Sequence, residues 1–329
     1  MIHIKNKLKF VIHLIGPVLF IFLLWRIDLS HFISILGTIR WQYIVAAIAC
    51  QVFVLIFKSE RWRAMISIFE KMSTMHILKT TVYGSLYALI TPARLGEGFK
   101  APLIKSETMS YGKVFFTIFM DRFMDACTIV LTGYFGLVFL RVPLGLSVTT
   151  LLIIATALLF GGALFVSLVY FALRPRQIEQ KIKIIARVCD FVRLITKKLK
   201  EIINTRNFKR VFWLTNGLNL FAFFFYFLTT YFITLALGLS VSFIFIVLSY
   251  SIIAFLAVLP ISISGIGTRD VALIYLFGFL NISAEKAVAV SLLDLVFMHY
   301  GVLLLFFILF GVRHLVVPSR KKEQYSGNI

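Results

Sequence analysis

The chain has 329 residues, of which 60% are Ala, Val, Ile, Leu, Met, Phe, Trp, Tyr or Cys and only 15% are charged, with a mean hydropathy of +0.96. That composition excludes an ordinary soluble globule, where apolar residues make up about 45–50% and charged ones about 25%. The net charge of +20 then fits the basic cytoplasmic loops of a membrane protein better than a nucleic-acid binder, and no nucleic-acid partner is expected.

The apolar residues fall into blocks near the ~20 residues that a helix needs to cross a bilayer. In chain order, full-length runs occupy 10–25, 42–57, 114–140, 146–173, 211–237 and 287–312. The first follows the basic start Lys5, Lys7, Lys9 and has the form of an uncleaved signal anchor. Two further apolar segments, 77–90 and 243–259, run into Pro92 and Pro260, and Gly-containing polar stretches follow both prolines. The expected fold is all-α and polytopic, a single membrane domain with about six to eight transmembrane helices and two interrupted or re-entrant elements. Its first half spans 1–173 and its second half 211–329, joined by a basic linker over 174–210. The second interruption reads either as one re-entrant hairpin or as two crossings, 243–259 and 266–280.

Side assignment follows from the basic residues. With the N-terminus inside, the stretches 1–9, 58–79, 91–113, 174–210 and 313–329 collect 28 of the 34 Lys and Arg. This places both termini in the cytoplasm and the chain in the cytoplasmic membrane. The 174–210 linker carries Ile178, Ile182, Ile185, Cys189, Val192, Ile195, Leu199 and Ile202 at three- and four-residue steps with Lys and Arg between them. Such a helix is expected to dock on anionic lipid headgroups, each cation contributing about 1 kcal/mol.

Hydrophobicity does not explain Asp121, Arg122 and Asp125 within the 114–140 run, nor Arg269, Asp270 and Asp294. Each costs roughly 2.5–3.5 kcal/mol at the centre of a spanning helix. Six uncompensated charges would total on the order of 15–20 kcal/mol, comparable with the stability of a whole fold. They are therefore expected to face one another or a wet cavity. Arg122 reaches Asp125 at i,i+3, and Asp294, isolated among leucines, needs a cation from another helix, with Arg122 and Arg269 available. Asp294 is expected either to balance an Arg or to carry a coupling proton. His299 reads as a core histidine.

The interruptions read Thr91-Pro92-Ala93-Arg94-Leu95-Gly96-Glu97-Gly98 and Pro260-Ile261-Ser262-Ile263-Ser264-Gly265-Ile266-Gly267-Thr268-Arg269-Asp270. Each has a helix-stopping Pro, Gly residues that permit tight backbone, and an acid and an Arg within reach. Their prolines stand about half the chain apart, a pattern of inverted-repeat transporters whose paired broken segments mark a site near the midplane. Unwound backbone at membrane depth is tolerated where it lines a cavity, and Arg binds phosphate in bidentate fashion. No Walker-type loop and no Ser-centred hydrolase elbow is present. Cys50, Cys127 and Cys189 share no metal-like spacing and the six His form no cluster, so neither a cofactor, a metal nor a catalytic residue is expected.

Three of these motifs together, Pro92-Ala93-Arg94-Leu95-Gly96-Glu97, Asp121-Arg122-Phe123-Met124-Asp125 and Gly265-Ile266-Gly267-Thr268-Arg269-Asp270, carry a resemblance over essentially the whole chain. It resembles the flippase-like membrane family named for the transmembrane region of lysylphosphatidylglycerol synthase. The resemblance implies an integral membrane domain that binds a lipid headgroup and moves lipid between leaflets. In fused relatives a cytoplasmic synthase domain transfers lysine from charged tRNA to phosphatidylglycerol. This sequence ends at Ile329, so that reaction is not expected here. Two departures stand out. Arg269-Asp270 replaces the family's more common Arg-Glu, and the acidic Asp294 occupies a helix where a basic residue would be expected.

The leading expectation is a flippase-like translocase that moves a phospholipid or lipid-linked headgroup through a polar intramembrane cavity. Arg94, Arg122 and Arg269 would meet phosphate, while Glu97, Asp121, Asp125 and Asp270 would hold those cations or recognise a cationic group. The alternatives are a membrane component of a headgroup-modifying transferase, or a partner that holds a separately encoded lipid-modifying enzyme at the bilayer.

Overall fold

The computed structural model describes residues 34–35, 37–104, 106, 109–139, 208–257 and 267–310, all of them in helices, turns or connecting segments. The expected first span, the 146–173 run, the basic linker up to residue 207 and the C-terminal tail lie outside the described residues.

Helix α1, Trp41–Ile66, and helix α5, Phe208–Ala236, form an antiparallel pair. Aromatic contacts fix the register along its length: Tyr43 lies on Phe232 with ring centroids 6.4 Å apart, Phe53 on Phe225 at 5.0 Å, and Phe57 on Phe221 at 5.5 Å. At the open end the Arg40 N–H donates to the Ala236 carbonyl at 2.9 Å, joining the start of α1 to the last turn of α5. Trp41–Ile66 and Lys209–Ala236 are each long and apolar enough to cross a membrane. α1 extends nine residues beyond the expected boundary at Phe57, so Lys58, Arg61 and Arg63 belong to the helix and not to a cytoplasmic loop. Helix α4, Tyr111–Phe139, is as long as α5 but carries Asp121, Arg122 and Asp125 in its middle.

Helix α2, Thr74–Ile90, starts at Ser73, whose hydroxyl accepts the His76 N–H at 3.3 Å. It stops at Thr91, which is extended (φ −111°, ψ 141°) as a residue preceding proline prefers. From Pro92 the chain forms a 3₁₀ segment to Phe99 and then the short helix α3, Lys100–Ile104. The chain doubles back here. The Thr91 hydroxyl donates to the Tyr87 carbonyl at 2.9 Å and accepts the Gly96 N–H at 2.7 Å, while Phe99 stacks beside Tyr87 with centroids 4.7 Å apart. Gly96 is required: a Cβ there would lie 2.2 Å from the carbonyl carbon and oxygen of Tyr87. The first expected interruption is thus a helix with a 3₁₀ return laid along it.

The second interruption has helix α6, Phe243–Ala257, on one side and helix α7, Thr268–Gly278, on the other. Phe245, near the start of α6, meets Phe277, near the end of α7, at 6.1 Å, so the two helices run antiparallel. At 1.5 Å per residue they reach about 22 and 16 Å, each short of the ~30 Å hydrocarbon layer. Pro260, Ser262, Ser264 and Gly265 lie outside the described residues. Gly267 adopts φ +82°, and the Asp270 carboxylate accepts its N–H at 2.8 Å, which starts α7. After a turn at Asn281, helix α8, Ala284–Leu293, continues without a break through a π-helical segment, Asp294–Gly301, into helix α9, Val302–Phe310.

Among the described residues two larger apolar layers hold these elements, beside a small cluster of Leu55, Val82 and Leu303. One packs Ile246, Tyr250, Leu273, Phe277, Val288 and Leu293 against the facing ends of α1 and α5. The other surrounds Trp62, Ile66, Ile77, Ile104, Met109 and Val114 at the opposite end of α1. α4 and α6 approach closely at Gly136, where a Cβ would stand 2.7 Å from the Leu248 carbonyl oxygen.

Candidate functional site

The apolar helices bury two separate groups of charged side chains. The first is centred on Arg61, which is 0% exposed. Its Nε donates to Asp121 Oδ1 at 2.8 Å, Nη2 lies 2.6 Å from the same oxygen, and Nη1 reaches Asp125 Oδ1 at 2.6 Å. Nη1 also donates to Asn219 Oδ1 on α5, whose Nδ2 donates to Thr128 Oγ1 at 2.7 Å. Arg61 therefore binds three helices together. The i,i+4 spacing of Asp121 and Asp125 puts both carboxylates on one face of α4, where a single guanidinium spans them.

Arg122 holds the outer oxygens of the same two acids, Asp121 Oδ2 at 2.8 Å and Asp125 Oδ2 at 3.0 Å. Its Nη1 reaches across to Glu97 Oε1 in the 3₁₀ return at 2.9 Å, and Glu97 Oε2 accepts from Lys100 Nζ at 3.1 Å. Lys100 in turn lies over the Trp62 ring, 5.0 Å from its centroid, and the Trp62 indole N–H donates to Thr117 Oγ1 at 3.2 Å. The ion pairs join Arg61, Lys100 and Arg122 to Glu97, Asp121 and Asp125, and Lys58 adds a further positive charge close enough to act on Asp125. Buried charge survives when it is paired and hydrogen-bonded in this way. Arg122 differs from its neighbours: its side chain is 25% exposed, while those of Arg61, Lys100, Glu97, Asp121 and Asp125 lie between 0% and 9%. Its Nε is nevertheless buried and makes no hydrogen bond among the described residues.

The second group sits where α7, α8 and the π segment meet. Arg269 Nε donates to Ser291 Oγ at 2.8 Å, Nη2 to the Ser291 carbonyl at 2.9 Å, and Nη1 to Asp294 Oδ2 at 3.3 Å. The Ser291 hydroxyl donates to Asp270 Oδ1, and Asp270 lies 4.0 Å from Arg269. Asp294, at the first position of the π segment, obtains its cation from Arg269 on another helix. Tyr250 of α6 is fully buried beside this group. Its hydroxyl makes no hydrogen bond among the described residues, and Asp294, Arg269 and Asp270 are among the charges that act on it.

Seven of the eight expected site residues are thus brought into two clusters: Glu97, Asp121, Arg122 and Asp125 in the first, Arg269, Asp270 and Asp294 in the second. The side chains of Arg94 and His299 lie outside the described residues. Arg61, Lys100, Asn219, Ser291 and Tyr250 were not expected. Arg61 and Lys100 had been counted with the cytoplasmic loop charges, yet both are buried. A signal for Arg61 exists: it continues the buried stripe of Ala47 and Val54 at seven-residue steps. Cys50 and Cys127 carry free thiols, and no group of three or more His, Cys, Asp or Glu among the described residues could hold a metal.

Long apolar helices enclosing paired charges, with half-length helices folded back between them, define an integral membrane protein of helical type. The chain belongs to the family described as the lysylphosphatidylglycerol synthase TM region, whose model matches residues 10–305. It is similar to the UPF0104 membrane protein MJ1595 of Methanocaldococcus jannaschii, with 26% identity over 89% of this chain and 91% of that protein. It is also similar to the UPF0104 membrane protein PH1989 of Pyrococcus horikoshii, with 24% identity over 86% of this chain and 90% of that protein. A third relative, the UPF0104 membrane protein MJ1078 of Methanocaldococcus jannaschii, is 26% identical over 72% of this chain and 98% of its own length.

Proposed function

We propose that the chain binds the headgroup of a membrane phospholipid or lipid-linked substrate at the Arg122 cluster and moves it between leaflets, in the manner of a flippase. The observation that carries this reading is the position of Arg122. It is the accessible edge of an otherwise sealed network, its side chain 25% exposed while its partners are buried. A phosphate oxygen offered to that guanidinium gains a charge-assisted partner in competition with the Glu97, Asp121 and Asp125 carboxylates. The positive charges of Arg61, Lys100 and Arg122 together favour an anion there, and the neighbouring carboxylates suit a headgroup that also carries an amine. The half-length helices and the 3₁₀ return place polar backbone inside the bundle, where a moving headgroup needs it. The basic linker 174–210 would rest on anionic lipid, with both termini on the cytoplasmic side.

Leaflet exchange of labelled lipids in proteoliposomes tests this with a panel of headgroups. Wild type should give headgroup-dependent exchange that falls at least tenfold in Arg122→Gln. Equal exchange by both proteins, or none by correctly inserted wild type, removes the proposal.

The family description favours a second reading, a membrane component for a headgroup-modifying transferase carried by a separate polypeptide. In that case deletion of 174–207 abolishes co-purification of the enzyme from native membranes while lipid exchange is unchanged.

A further inference from the structure

Every carboxylate that Arg122 holds has a second cation. Asp121 and Asp125 give Oδ2 to Arg122 and Oδ1 to Arg61, and Glu97 gives Oε1 to Arg122 and Oε2 to Lys100. The second cations are fixed in place. Arg61 is fully buried and is tied as well to the Asn219 amide oxygen and to the Asp121 carbonyl oxygen, the latter at 3.4 Å. Lys100 is buried over the Trp62 ring, and its stem lies so close to Gly84 that a Cβ on that glycine would stand 2.4 Å from it. A buried carboxylate stripped of its cation stays desolvated and unpaired, which is costly. Arg122, the exposed member of the network, can leave all three acids without imposing that cost on any of them.

We infer that Arg61 and Lys100 are positioning residues for the headgroup site. They hold the inner oxygens of Asp121, Asp125 and Glu97, so that Arg122 is able to trade its carboxylates for a phosphate. The inference rests on the reading that Arg122 meets the headgroup, and it names the residues that make the trade possible. Arg61 serves two acids at once because its planar fork spans carboxylates four residues apart on α4. A lysine ammonium keeps the charge and loses that fork. Charge alone would therefore make Arg61→Lys silent, whereas a divided grip makes it harmful: the acid that the ammonium does not reach falls to Arg122 and ties it down.

The test reads the hold on Arg122 directly. Full-length protein in detergent is treated with phenylglyoxal, an arginine-specific dicarbonyl, and modification of Arg122 is followed by mass spectrometry. Binding of a short-chain phosphatidylglycerol is measured on the same preparations. Arg61→Lys should slow modification of Arg122 about threefold and weaken lipid binding about tenfold, the equivalent of one hydrogen bond to a charged group. Lys100→Met should act in the same direction through Glu97, and Lys100→Met combined with Glu97→Gln should bring both readings back to within about twofold of wild type. A merely structural role moves the first reading the other way, since loosened helices expose Arg122 and speed its modification.

Modification of Arg122 that is unchanged or faster in Lys100→Met, or in an Arg61→Lys protein that melts within a few degrees of wild type, overturns the inference. Wild-type protein that neither binds the lipid nor gains protection of Arg122 from it removes the transport reading instead, while the modification rates still decide how the carboxylates are divided between Arg122 and its two buried neighbours.

Discussion

Replacing Arg61 by Met isolates the contribution of the first cluster. The substitution keeps much of the apolar stem and deletes the guanidinium that holds Asp121 at 2.8 and 2.6 Å, Asp125 at 2.6 Å and the Asn219 amide. Asp121 and Asp125 then share Arg122, and Asn219 loses its donor. Removing one partner from a buried ion pair costs about 3–5 kcal/mol, because the remaining charge stays desolvated. For a chain of this size, where each kcal/mol moves the midpoint by roughly 2 °C, the melting temperature should fall by about 6–10 °C. A thiol-reactive dye reads this in detergent through exposure of the buried Cys50. The double variant Arg61→Met with Asp121→Asn removes one charge of each sign, so it should recover at least half of the loss. A single variant that melts within about 2 °C of wild type, or a double variant no better than the single, would refute the idea that paired charge holds these helices together.

Gly96→Ala forces a methyl group against the Tyr87 backbone and should cost about 3 kcal/mol, the upper part of the range for overpacking, measured by the same melt. Ser291→Ala strips an acceptor from Arg269 and a donor from Asp270, so a loss of about 1–3 kcal/mol is expected. Tyr250→Phe removes a hydroxyl that has no hydrogen-bond partner among the described residues and should leave the melt within about 0.5 kcal/mol of wild type or slightly above it. Glu97→Gln weakens the grip of the 3₁₀ return on Arg122 and Lys100. It should raise the protease sensitivity of the 92–104 segment several-fold while leaving α1 and α5 protected.

The helices that cross the bundle were legible in the sequence because unbroken apolar length is the main physical requirement for them. The starts of α1 and α4 lie within three residues of their expected positions. Pro92 marked its break because proline forces the preceding residue out of the helical region, as Thr91 shows. Arg61 was hidden for the opposite reason. In Lys58-Ser59-Glu60-Arg61-Trp62-Arg63 it looks like one of several loop charges, and beyond the faint seven-residue stripe with Ala47 and Val54 its burial rests on long-range partners on α4 and α5. The pairing of Arg122 with Asp125 was visible because it is local on one helix, while the link to Glu97 depends on how the 3₁₀ return folds back. Ser291 and Asn219 carry no charge, so their cost in an apolar helix was too small to mark them.

The contact at Gly96 has a mechanical meaning. With no side chain between the return and the Tyr87 backbone, with the Thr91 hydroxyl bridging them and with Phe99 against the Tyr87 ring, α2 and its return have no room to slide past each other and can be displaced only as one stiff lever. The strain of such a displacement falls on the lever's electrostatic contact with α4, the Glu97–Arg122 pair at 2.9 Å. A ligand competing for Arg122 would loosen that contact, so a pull on this lever would pass through a single guanidinium.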